Sequence, residues 1–190
     1  MESFWGRMPR PFFVLAPMAD VTDPAYRRLI AETHGPDVTW TEFVSADGLY
    51  HTRERKGMPD DENPLMRDLT YTEGERPIVA QLFGSDPDTM RYAASLCAEL
   101  GFDGIDINMG CPDRSIEKQG AGAAMIKSIE NARAVIHAAR ESGLPVSVKT
   151  RIGYNQETID EWLSALLSEN LPALTVHLRT RKEMSKVSAH

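Results

Sequence analysis

Short, near-continuously apolar runs alternate with amphipathic stretches along this chain, about six times over. Residues 12–18, 38–43, 77–84, 104–109, 146–151 and 174–179 read as strands. Runs this apolar suit strands buried on both faces, as in a parallel sheet. Between them the spacing predicts helices over 24–34, 87–100, 129–141 and 158–169, with a weaker one over 46–55. Asp23-Pro24 and Asp86-Pro87 each place an N-cap carboxylate before a proline suited to the first helical position. Gly35-Pro36 and Ser142-Gly143 are stop signals. Residues 1–11 read as a loose lead-in, 56–76 as a long charged surface excursion, 113–125 as a loop, and 180–190 as the start of another.

No hairpin signal lies between the strands, so the alternation means βα units and a parallel sheet. An open doubly wound sheet and a (β/α)8 barrel both fit that pattern. The Gly-rich turn expected after the first strand of a dinucleotide-binding sheet is missing, and Ala16-Pro17-Met18-Ala19 stands there instead. Glu42, Gln81, Asn108, Cys111, Lys149, Arg151, His177 and Arg179 gather at the carboxyl ends of strands, where barrel enzymes assemble their sites. The expected fold class is therefore α/β, a (β/α)8 TIM barrel, incomplete with about six βα units. An unclosed arc leaves two sheet edges bare, so the chain is expected to be part of a longer barrel.

Length and composition alter this picture little. The 190 residues suit one domain, and 42% hydrophobic with 26% charged residues is ordinary for a globular protein. No apolar run approaches the ~18 residues of a membrane span, and residues 1–7 lack a signal-peptide core, so a cytoplasmic location is expected. The net charge of −7 argues against a polyanion binder over the whole surface, though not against a local basic patch. The two cysteines make no disulfide framework and no Cys-His cluster suggests zinc. Cys97 sits among Ala93, Ala94, Leu96 and Leu100 and reads as a small buried hydrophobe.

The other cysteine ends the fourth strand. Gly110-Cys111-Pro112 breaks an apolar run and puts a thiol at a fixed corner. It could serve as nucleophile, metal ligand or proton donor. Lys149 and Arg151 share one face of their strand by alternation, and His177 and Arg179 repeat that spacing on the next, which suggests an anionic or electron-rich ligand. The Gln81 amide could serve a flat heterocycle or a neighbouring backbone group. Gly120-Ala121-Gly122 reads as loop flexibility rather than a phosphate cradle, and Asp106 as a buried partner for some cation, its role open.

Six blocks together resemble the tRNA-dihydrouridine synthases. They are Ala16-Pro17-Met18-Ala19-Asp20-Val21-Thr22-Asp23, Thr41-Glu42-Phe43-Val44, Gln81-Leu82-Phe83-Gly84, Asp106-Ile107-Asn108-Met109-Gly110-Cys111-Pro112, Val148-Lys149-Thr150-Arg151-Ile152-Gly153 and His177-Leu178-Arg179-Thr180-Arg181. The resemblance implies an FMN-binding barrel that uses NADPH to reduce particular uridines in tRNA to 5,6-dihydrouridine. It implies Cys111 as the proton donor, and Pro17, Met18, Ala19, Gln81, Lys149 and His177 as cofactor-binding residues. It implies Asn108 and Arg151 as substrate contacts, and no metal. Residues 1–190 would be the N-terminal portion of that barrel, with the last strands and a C-terminal helical tRNA-binding domain absent. The partner implied is tRNA, with no membrane, no inferable protein partner and a monomer when full length. Leu178 departs from the family, which has glycine after that histidine. Two other readings are a small-molecule FMN barrel oxidoreductase and an inactive truncated barrel acting as an interaction module.

Overall fold

The computed structural model describes residues 3–190. In chain order the elements are α1 (Phe4–Arg7), β1 (Val14–Leu15), α2 (Pro24–His34), β2 (Val38–Ser45), α3 (Ala46–Tyr50), α4 (Pro64–Asp68), β3 (Ile78–Phe83) and α5 (Pro87–Glu99). There follow β4 (Gly104–Met109), α6 (Arg114–Glu117), α7 (Ile129–Arg140), β5 (Val146–Arg151), α8 (Ile159–Leu167) and β6 (Leu174–His177). The predicted caps form: Asp23 accepts the Tyr26 N–H and Asp86 the Asp88 N–H, each ahead of its proline.

All six strands are parallel and pair in the order β1-β2-β3-β4-β5-β6. Every neighbour in the sheet is also the neighbour in sequence. A doubly wound sheet reverses its order at a switch point; this one never does, so it is an arc of a barrel wall. One face of the arc packs on the helices: Ile78, Ala80, Leu82, Ile105 and Ile107 belong to the same core as Met90, Ala93, Ala94, Val135 and Ile136. Cys97 is fully buried there, as the sequence suggests. The pleat turns Gln81, Asp106, Asn108, Ser147 and Lys149 to the other face, the barrel interior.

Four expectations are corrected. The lead-in is not loose, because residues 4–7 form α1 and Trp5 is buried with Val38, Trp40 and Val79 against the lower interior face, its ring 5.7 Å from that of Trp40 (residues 1 and 2 lie outside the described residues). Aromatic rings bury so much area that a short segment carrying several of them docks wherever an apolar face is open. The first strand is only Val14–Leu15 and is not buried on both sides; Phe13 is 74% exposed, since β1 pairs with β2 alone. Residues 56–76 are more than a surface excursion, for α4 sends Met66 into the core and Leu69 follows it. Residues 113–125 hold α6 and the start of a tight turn, Gly122–Lys127, whose Ala123, Met125 and Ile126 also join the core.

Candidate active site at the carboxyl ends of the strands

Cys111 stands just beyond β4, and three neighbours fix it. Asn108 Oδ1 accepts the N–H of Gly110 at 3.1 Å and of Cys111 at 2.9 Å. Arg151 Nε donates to the Gly110 carbonyl at 2.7 Å. The Ala123 N–H donates to the Cys111 carbonyl at 2.9 Å. Gly122 makes that last approach possible: its φ is +59°, and a Cβ there would lie 2.7 Å from the Cys111 carbonyl oxygen. The Gly120-Ala121-Gly122 stretch is thus a shaped support and not a flexible loop. Burial pushes the half-exposed Cys111 thiol above its ordinary 9.0, against the pull of the Asp113 backbone and the Arg151 charge. At neutral pH it is a thiol, so it carries a proton to give.

Below the corner lies a polar row inside the arc. Gln81, 0% exposed, donates from Nε2 to Asp106 Oδ2 at 2.6 Å and accepts at Oε1 from Asn108 Nδ2 at 3.1 Å. Ser147 Oγ donates to Asp106 Oδ1 at 2.6 Å. A bulge between Trp40 and Phe43 helps place Gln81: its own N–H leaves the regular ladder and donates to Thr41 Oγ1 at 3.0 Å. Burial pushes Asp106 up to about 6, with Ser147, Gln81 and the Lys149 charge pulling the other way.

The four basic side chains at the carboxyl ends of β5 and β6 do different things, Arg179 lying just beyond its strand. Arg151 is buried and also donates to the carbonyls of Thr180 and Met184, at 3.2 and 3.1 Å. Arg179 donates to the Val187 carbonyl and, at 2.8 Å, to His177 Nε2. Guanidinium can only donate, so Nε2 accepts and the imidazole proton sits on Nδ1. Burial first, then the charges of Arg151, Lys149 and Arg179, lower His177 to about 4, so it is neutral. Lys149 alone of the four makes no hydrogen bond or ion pair among the described residues. Burial lowers its pKa, and Asp106 opposes that.

Asn108, Cys111, Lys149, Arg151 and His177 therefore form one cluster, in which Asn108 pairs in register with Lys149 and Arg151 with His177. Gln81 sits beneath it. Pro17, Met18 and Ala19 lie on the loop after β1, with Met18 41% exposed; the hydrogen bonds of Met18 stay within this loop, which α2 reaches through Arg27. Met18 N–H donates to Thr22 Oγ1 at 3.0 Å, and the Thr22 carbonyl accepts from Arg27 Nη1 at 2.8 Å. Arg27 in turn pairs with Glu75.

A sequence model of the family described as Dihydrouridine synthase (Dus) matches residues 14–190. The chain belongs to the dihydrouridine synthase family. Its whole length aligns at 46% identity with a Bacillus subtilis (strain 168) protein named "Probable tRNA-dihydrouridine synthase 2". It aligns at 44% with Staphylococcus aureus (strain COL) and Staphylococcus epidermidis (strain RP62A) proteins named "Probable tRNA-dihydrouridine synthase". In each case the chain covers 56% of the relative's length. The barrel arc is the fold this family implies. Arg27 and Glu75 carry no motif that the sequence could reveal, and the role of Asp106 is hidden there because its partners lie on other strands.

Proposed function

We propose that this chain is the N-terminal portion of an FMN-dependent barrel enzyme that reduces specific uridines in tRNA to 5,6-dihydrouridine with NADPH, and that Cys111 is the proton donor. The observation that carries the reading is a protonated thiol on a rigid strand-end corner, beside a lysine that makes no hydrogen bond or ion pair among the described residues. The remaining strands and a C-terminal helical tRNA-binding domain belong, in this reading, to the rest of the full-length protein, a cytoplasmic monomer. Membership of the family and the bare edges of β1 and β6 support it.

The residues present suit FMN. The Lys149 ammonium, with no hydrogen bond or ion pair among the described residues, fits the electron-rich side of a flavin, and the exposed Met18 offers apolar surface to a flat ring. Pro17, Met18 and Ala19 would line the ring, Gln81 would offer its uncommitted amide hydrogen to the ring edge, and His177 would face the ribityl or phosphate side. When bound, FMN would supply the hydride, with NADPH as the source of reducing power, and the Lys149 charge would favour electron density on the ring.

The chain's own part is the proton. As C6 of the uracil gains hydride, the Cys111 S–H bond breaks and a C–H bond forms at C5, after which water returns a proton to the thiolate. The corner holds the donor at one height above the ring, which is worth more than a flexible acid. Asn108 and Arg151, proposed to meet the uracil, first hold that corner. The target base has to leave its stack to reach this depth.

The test is NADPH-dependent dihydrouridine formation in tRNA by the full-length protein, with Cys111→Ala beside it. The expected loss is ~10²–10⁴-fold, the usual worth of a positioned acid. Full turnover by the variant removes Cys111 from its role. A colourless purified protein counts against FMN, and reduction of free uracil or orotate in preference to tRNA moves the substrate to small molecules.

A further inference from the structure

Asp106 is buried on the barrel face of β4, 0% exposed, and does not reach the mouth. It begins an unbroken row of hydrogen bonds that ends on the Cys111 amide. Gln81 Nε2 donates to Asp106, Asn108 Nδ2 donates to Gln81 Oε1, and Asn108 Oδ1 accepts from Gly110 and Cys111. Both ends of this row have fixed polarity. Backbone N–H groups only donate, and an ionised carboxylate only accepts. Each amide between them has one orientation that satisfies both neighbours, and the structure shows that orientation in both.

We propose that Asp106 is a positioning residue: its carboxylate holds the Gln81 and Asn108 amides in one orientation, and through them sets the Gly110-Cys111 corner that presents the thiol. Ser147 steadies the carboxylate from the next strand, donating to Oδ1 while Gln81 donates to Oδ2. Lys149, the register partner of Asn108, adds a favourable charge nearby. At pH 7 the carboxyl is mostly ionised, since burial raises it only to about 6.

The consequence for turnover rests on Cys111 being the acid, but the positioning does not, and the test separates them. Hydrogen exchange at the Gly110 and Cys111 amides of the full-length protein reads the corner directly. Asp106→Leu, close in size but without an acceptor, is expected to speed that exchange by about tenfold or more, as a buried partner lost from a hydrogen-bond row does. Asp106→Asn is expected to stay within about threefold of the parent, because its amide oxygen can still face Gln81 while the Ser147 hydroxyl turns to accept.

A second pair tests polarity itself. Asn108→Asp puts two acceptors on Gln81 and is expected to lower the melting temperature. Adding Asp106→Asn reverses the row, with the amide at 106 donating to Gln81 and Gln81 donating to the carboxylate at 108, and the melting temperature is expected to recover. Adding Asp106→Leu instead removes the charge without supplying a donor and is expected to give no recovery. Unchanged exchange in Asp106→Leu, equal damage from Asp106→Asn, or equal recovery with Leu and Asn at 106 overturns the proposal. Should Asp106→Leu fail to fold, the Asn108→Asp pair decides. Full turnover by Cys111→Ala would refute the acid and leave these exchange results standing.

Discussion

Arg27 and Glu75 form an ion pair at 2.9 Å with side chains 0% and 1% exposed. It is a fully furnished pair. Arg27 also donates to the carbonyls of Thr22 and Thr70, while Glu75 accepts the Thr72 N–H and hydroxyl. The pair ties the loop bearing Met18 to the segment before β3. Arg27→Met is expected to cost ~3–5 kcal/mol, since it leaves a buried carboxylate and two carbonyls without partners. Chemical denaturation checks this. Adding Glu75→Gln should recover only part, because the carbonyls of Thr22 and Thr70 stay unpartnered.

Cys111 should be a slow nucleophile. With its thiol raised above 9.0, alkylation by iodoacetamide, followed at this residue by mass spectrometry, is expected to stay slow through pH 8. The rate should rise with a midpoint above 9. A midpoint below 8 would make the group an activated thiolate and remove the argument for a proton donor. Cys97, pushed up to about 12 in the core, should remain unlabelled in the native protein.

Gly122→Ala should damage the corner from below. The added Cβ meets the Cys111 carbonyl and also lies 2.9 Å from Ile116 Cγ2, at a φ that side chains avoid. A loss of at least ~1–2 kcal/mol is expected from the backbone alone. Gly143→Ala is the comparison, with the same sign of φ and nothing within 4 Å of the new Cβ. Its cost should be smaller, and equal melting temperatures for the two variants would contradict the close approach.

His177 gives stability a dependence on pH. Its folded pKa, about 4, lies below the ordinary 6.5, so between those values the folded state binds fewer protons than the unfolded. This contribution is whole above pH 6.5 and is lost as pH falls towards 4. His177→Gln should flatten that part of the stability profile. An unchanged slope between pH 4 and 6.5 would show that the imidazole already accepts a proton in the fold.

Whatever is settled within a few residues is legible in the chain order. The βα alternation, the Asp-Pro helix starts and the Gly-Cys-Pro corner are local signals, and each reappears in place. Alternation also put Lys149 and Arg151 on one face, as β5 shows. It could not say that Arg151 would spend its donors on the carbonyls of Gly110, Thr180 and Met184 while Lys149 makes no hydrogen bond among the described residues. Spacing along a strand fixes which way a side chain points, whereas its partners come from other strands and loops. Asp106 meets Gln81 and Ser147, 25 and 41 residues away, and Arg27 meets Glu75 at a separation of 48. Those contacts exist only once the sheet has set its register. How the Cys111 corner is held therefore depends on the folded sheet, although the cysteine itself is plain from the sequence.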